Sequence, residues 1–289
     1  MELPVIVGVD GSEPSLRATD WAADEAALRG LPLNVVYASL WERYEGSALA
    51  ADLGKPLEEV LAEDIVEGTA RRARLRRPGL EVCTHVVPDE AEEALVRESR
   101  NATLVVLGTR GRSGVAEAVL GSVSMTVAGH ADCPVVLVRG SHDNPAAGPV
   151  DGRVVVGLGE GAEERAVLRF AAEEARLRGV PLEVVRAWRR PAHDPVDHPL
   201  IVGGPARAHE RRAADALEAA LSDLPPELKV HPRTAEGHAR RVLAAASRDA
   251  ELLVVGARRR ADQYTPHLGR VAHTVLHHSR CPVAVVPHR

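Results

Sequence analysis

Four small residues in the first half of the chain, Gly108, Gly111, Gly121 and Ser122, carry the spacing G-x2-G-x9-G-S and follow the short apolar run Leu104–Leu107. Glycine opens dihedrals closed to other residues and leaves its amide N–H uncovered. Ser122 begins an apolar-periodic segment through Val123, Val127 and Ala131. That pattern makes it an N-cap, with unpaired amides and the positive end of a helix dipole beside it. Phosphate binds readily at such a place. The alternative is that the glycines serve only tight turns and helix–strand packing. A second candidate is Asp10, which ends the apolar run Val5–Val9. A carboxylate at the C-terminal end of a parallel strand faces the edge where open sheets bind ligands, and it can accept hydrogen bonds from ribose hydroxyls. Its alternative role is an Asx turn or a helix cap.

The elements that must hold these residues alternate along the chain. Apolar runs at Val5–Val9, Leu33–Ala38, Leu80–Val87, Leu104–Leu107 and Val135–Val138 read as strands. Helical patterns fill residues 14–29, which end at Gly30, then 55–77, 89–101 and the segment after Ser122. A β-α-β-α-β-α-β-α-β order predicts a parallel sheet with helices on both faces and right-handed crossovers. The arginines at 71, 72, 74, 76 and 77 crowd a helix C-terminus, where cations are favoured, and read as a solvated face rather than a nucleic-acid patch.

Residues 141–151, SHDNPAAGPVD, have the composition of a linker, and the pattern then restarts. Val154-Val-Val-Gly157 repeats Val5-Ile-Val-Gly8, and Gly179-Val-Pro-Leu182 repeats Gly30-Leu-Pro-Leu33, both at an offset of 149; Cys281-Pro282 repeats Cys133-Pro134 at 148. A nearly constant offset means a duplicated domain. The chemistry is not duplicated with it. Gly159 stands for Asp10, Arg259 for Gly111 and Arg270 for Ser122, while Gly256 and Gly269 keep the places of Gly108 and Gly121. Arg270 at the helix N-terminus would oppose the dipole and fill phosphate space. The second pocket is therefore expected to be empty or altered, or else Arg258, Arg259, Arg260 and Arg270 take a different anion.

The glycine spacing after a late strand resembles the nucleotide-binding signature of the universal stress protein family, in its ATP-binding branch. The resemblance extends to Val5–Asp10, to Ala131-Asp132-Cys133-Pro134 and to the weaker second copy, so it covers nearly the whole chain. It implies an α/β fold of two tandem open-sheet domains, residues 1–140 and 152–289, each a five-stranded parallel sheet in the order 3-2-1-4-5 with helices on both faces. It implies phosphates on Gly108, Gly111, Gly121, Ser122 and the amides of Val123 and Ser124, with Arg110 beside them. Asp10 would hold the ribose, and Gly8, Val9, Ala38 and Leu107 the base. The implied ligand is ATP, with or without Mg, held in the first domain. Pairing through the last strand of each domain would give an internal pseudo-dimer or a homodimer, because exposed strand edges must be covered.

Composition narrows the rest. The chain has 289 residues, 45% hydrophobic and 27% charged, with a formal charge of −5, so nothing draws it globally to nucleic acid or acidic lipid. Aromatic residues are only 2%, which removes the stacking platforms of single-strand binders. No apolar run reaches the roughly 18 residues of a membrane span and no leader precedes the first strand, so the expected compartment is the cytoplasm. The three cysteines are far apart, and Cys133 and Cys281 directly precede a proline; reduced, buried thiols are expected. His273 and His277 lie four apart on one helix face, with His267 and His278 near, but no carboxylate or cysteine at convincing spacing joins them, and a metal site is not expected. The first strand is not followed by G-x-G-x-x-G and no glycine run ends in G-K-[ST], which disfavours Rossmann dehydrogenases and P-loop NTPases. The expected function is an adenine-nucleotide-binding regulatory protein with no assigned catalytic residue. A slow adenine-nucleotide hydrolase and a nucleotide-free scaffold are the alternatives.

Overall fold

The computed structural model describes residues 3–38, 57–109, 120–139, 152–159, 164–189, 204–258 and 268–288. The chain divides into two compact units. In the first, strand β1 (Val5–Gly8) leads through helix α1 (Glu13–Arg29) to β2 (Leu33–Ala38), α2 (Leu57–Arg76), β3 (Val82–Val87), α3 (Ala91–Glu98), β4 (Leu104–Gly108), α4 (Ser122–His130) and β5 (Val135–Val138). All pairings are parallel, in the order β3-β2-β1-β4-β5. Helices α1 and α2 pack together on one face and α3 and α4 on the other. The order 3-2-1-4-5 therefore stands, with β1 and β4 adjacent where it reverses.

Local chemistry explains the element ends. Ser12 caps α1, its hydroxyl accepting from Ser15 N–H at 3.4 Å; Pro14 sits in the first turn and Gly30, at φ 66°, closes the helix in the left-handed region. Strands β1, β4 and β5 are buried throughout, as parallel strands covered on both faces must be.

The arginines of α2 depart from the expectation of a solvated face. Arg72 forms a two-pronged pair with Asp20 at 2.7 and 2.6 Å, while Arg76 and Arg77 both hold Asp24, at 2.7 and 2.6 Å. Asp20 and Asp24 are buried in the seam between α1 and α2, and these cations offset the cost of that burial.

The second unit repeats the plan: β6 (Val154–Gly157), α5 (Glu164–Arg178), β7 (Leu182–Trp188), α6 (Gly204–Leu221), β8 (Val230–Glu236), α7 (Ala239–Ala246), β9 (Leu252–Arg258), α8 (Gly269–His278) and β10 (Val283–His288). Its parallel order is β8-β7-β6-β9-β10. Buried detail is duplicated as well. Glu25–Arg29 at 2.6 Å recurs as Glu174–Arg178 at 3.0 Å, and the bond from Asp132 N–H to Ser99 Oγ at 2.8 Å recurs from Arg280 N–H to Ser247 Oγ at 2.9 Å.

The cysteines are all free, but only two are buried as expected. Cys83 is exposed, because it lies on β3, the edge strand of its sheet. Burial pushes the Cys281 thiol up to about 12. Alkylation of the native protein at about pH 8 should therefore mark Cys83 and spare Cys133 and Cys281 until the chain is unfolded. Modification of Cys281 at the rate of Cys83, read by mass spectrometry, would contradict this packing. Among the described residues no helix is long and apolar enough to cross a membrane.

Candidate functional site

At the C-terminal edge of the first sheet, β1 and β4 end side by side and a cleft of about 320 Å³ opens between them and the helices above. Strand β1 brings Gly8, Val9 and Asp10 to it, and β2 brings Ala38 together with Val36 and Tyr37. Strand β4 contributes Leu107 and Gly108, and the start of α4 contributes Gly121, Ser122, Val123 and Ser124. Arg110 and Gly111 lie outside the described residues.

Each wall has a physical reason. A Cβ on Gly8 would lie 2.5 Å from Leu107 Cδ2 and 3.0 Å from Leu95 Cδ1, so glycine lets those two side chains floor the cleft. The same approach recurs at Gly157 against Leu243. On Gly108 a Cβ would lie 2.6 Å from the carbonyl oxygen of Pro14, the backbone of the first turn of α1. Gly121 N–H donates to Thr109 O at 2.9 Å, and Thr109 N–H to Val138 O at 3.2 Å, which ties the start of α4 to the strand ends.

Gly121, not Ser122, is the N-cap of α4, with extended dihedrals of −67° and 152°. Ser122 is the first helical residue, and its hydroxyl donates to Glu92 Oε1 at 3.1 Å on α3 instead of capping an amide. Ser124 is buried, and its hydroxyl donates to Gly108 O at 2.7 Å, so that side chain fastens the helix to β4. Met125 N–H, bonded to Gly121 O at 3.1 Å, begins the helical ladder. The amides of Ser122, Val123 and Ser124 precede it and carry the positive end of the dipole.

Asp10 forms the Asx turn that competes with its ligand reading. Its Oδ1 accepts from Ser12 N–H at 3.0 Å and from Ser12 Oγ at 2.6 Å. A carboxylate has about four lone-pair sites, so this turn is compatible with a further hydrogen bond. The sequence reading missed Ser15, Val36, Tyr37, Ala91 and Leu95, all of which line the cleft. Ala91 and Leu95 stand four apart on α3, a spacing that could have identified them. Asp89 pins that helix, accepting from Glu90 N–H at 2.9 Å and from Arg97 at 2.6 Å. The latter bond raises the Arg97 pKa above its ordinary value.

The counterpart edge of the second unit is built differently. Gly159 O accepts from Arg186 Nη1 at 2.5 Å, and a Cβ on Gly159 would lie 2.7 Å from Glu164 Oε1. The imidazole of His288 stands over Gly256, 2.8 Å from where its Cβ would be. Arg270 is exposed, so Arg186, rather than Arg270, reaches into this edge; Arg259 and Arg260 lie outside the described residues. Positive charge on Arg189 lowers the pKa of the nearby exposed His238. His273 and His277 have ring centroids 4.6 Å apart, and among the described residues no group of three or more His, Cys, Asp or Glu could hold a metal. A larger cleft, about 770 Å³, lies between α5 and the segment after α6, lined by Leu168, Ala172 and Leu224. It contains none of the motif positions, and the chemistry of the smaller cleft outweighs its size.

The profile of the universal stress protein family matches residues 2–139 and again 152–287. A universal stress protein of Mycobacterium tuberculosis is 30% identical over 301 residues, covering 97% of this chain and 96% of its own. Another from the same organism is 33% identical over 266 residues, covering 91% and 89%. The crystal structure of a universal stress protein from Archaeoglobus fulgidus superposes with a TM-score of 0.70 at 18% identity over 98% of each chain, a likeness of fold.

Proposed function

Because the chain belongs to the universal stress protein family, we propose that its first unit binds an adenine nucleotide, ATP or a related adenylate, and that occupancy is a regulatory signal in a stress response. One observation carries the reading: residues from the ends of three strands and the start of α4, up to 116 positions apart, line a single cleft. Within it the amides ahead of the α4 ladder hold the phosphates, and Arg110 and Gly111 complete the proposed phosphate set. Asp10 accepts from the ribose. The apolar floor of Leu107, with Gly8, Val9 and Ala38, takes the flat base, and Gly8 keeps that floor low. Any Mg arrives bound to the phosphates. The donor set fits the tail of a nucleotide, since it offers uncovered N–H groups at a positive helix end. The domains are residues 1–140 and 152–289, joined by 141–151. Their last strands are the edges through which pairing, within the chain or between two copies, would occur; light scattering on the purified protein reports which.

Calorimetric titration with ATP, ADP and AMP, followed by phosphate-release assays, tests this role. Binding with turnover far below about 1 per second is expected of a sensor. Turnover at or above that rate would make the protein an enzyme. Failure of every adenylate to bind would leave a scaffold.

A further inference from the structure

Glu92 stands where the charge of the cradle is decided. It is the second residue of α3, half-buried, and its Oε1 accepts from Ser122 Oγ at 3.1 Å. Ser122 is the first residue of α4, the helix whose leading amides line the cleft. A carboxylate is thus already placed at the anion-binding end of α4. Among the described residues lining the cleft there is no Lys, Arg or His, and Asp10, at the end of β1, is the one carboxylate among them. Arg97, the cation nearest in sequence on α3, is engaged with Asp89 at 2.6 Å. Arg110 and Arg112 lie outside the described residues.

Such a carboxylate satisfies the helix dipole in the free protein and opposes a second anion that comes to the same amides. Opposition grows with the charge of the incoming tail, while the contacts to base and ribose are unaffected. Repulsive elements of this kind set specificity as effectively as attractive ones.

We propose that Glu92 is the charge selector of the cleft: hydrogen-bonded to Ser122, it makes the site discriminate adenylates by the negative charge of their phosphate tail, against the bare triphosphate. This rests on the adenylate reading above. A structural role alone, stapling α3 to α4, predicts no gain on neutralisation, because the amide oxygen of a glutamine still accepts from the Ser122 hydroxyl and the staple is kept.

The test titrates adenosine, AMP, ADP and ATP, without divalent cations, into the whole chain and into its Glu92→Gln variant, with Glu93→Gln on the exposed side of the same turn as control. In the parent, affinity should stay level or fall from AMP to ATP. In Glu92→Gln, ATP should bind about tenfold tighter, AMP about threefold tighter, and adenosine within about twofold of the parent. Glu93→Gln should leave the series as in the parent. Equal changes for adenosine and ATP, weaker ATP binding in Glu92→Gln, or the same gain in Glu93→Gln would overturn the selector. Adenosine binding with an unaltered series would sink the selector alone, whereas no binding by any of the four ligands to either protein would sink the adenylate reading and the selector together.

Discussion

Gly108→Val should lower affinity for ATP by about a hundredfold while the chain remains folded. The cause is at the backbone. Position 108 is the last of β4, and its missing Cβ faces the carbonyl of Pro14 at 2.6 Å and the carbonyl carbon at 2.7 Å. These are main-chain atoms in the first turn of α1, so they cannot swing aside as the tip of a leucine can. Either β4 or α1 must shift, and both form the cleft: Gly108 O receives the Ser124 hydroxyl that seats α4, and the Asp10 turn feeds directly into α1. Overpacking costs about 1–3 kcal/mol, below the 5–15 kcal/mol that holds an ordinary domain together. Circular dichroism and calorimetry on one preparation separate the two effects. Undiminished ATP binding in a folded Gly108→Val protein would mean that this wall does not contact the ligand.

Glu174→Ala should destabilise the second unit by about 3–5 kcal/mol, as expected when one partner of a buried ion pair is removed. The side chain of Glu174 is 0% exposed and that of Arg178 3%, and the two are joined at 3.0 Å, so the variant removes a carboxylate that a buried guanidinium is bonded to. Replacing both, Glu174→Leu with Arg178→Met, should recover most of the loss, since an apolar pair removes the desolvation problem instead of halving it. Asp24→Ala in the first unit should cost less than Glu174→Ala, because its partners Arg76 and Arg77 are 30% and 39% exposed and can turn to water. Denaturant midpoints with unchanged slopes measure all three. A double variant as unstable as the single one would show that the buried pair does more than neutralise itself.

The contrast between those pairs shows which interactions can be read from a sequence. Uninterrupted apolar runs, such as Leu104–Leu107, and turn residues, such as Gly30, announce parallel strands and helix ends because their causes lie within a few residues. The duplicated domain is equally legible through its constant offset. Contacts between distant elements are not. Arg72 meets Asp20 across 52 positions, and nothing in the local pattern of α2 distinguishes that arginine from a solvated one. Likewise Ser122 looks like an N-cap until Glu92, 30 positions earlier, takes its hydroxyl. Cys83 looks like its two fellows until the sheet order puts it on an edge strand. The altered second edge is visible as a loss of motif residues, but the arginine that enters it is not. Arg186 occupies the place of Tyr37 at the offset of 149, one residue before the Ala38 counterpart, and lies outside every motif position. The cleft itself is legible in its glycines and Asp10 and illegible in Ala91 and Leu95, whose helix reaches the site only through the fold.

Native mass spectrometry of the full chain with adenine nucleotide in excess measures how many ligands one molecule holds. One nucleotide per chain is expected, lost in Gly108→Val and retained when Gly256, the matching position of the second unit, is changed to valine. Two nucleotides on the parent would show that the second unit binds as well, and loss through Gly256→Val with Gly108→Val unaffected would show that the anion-binding amides lie elsewhere than at the start of α4.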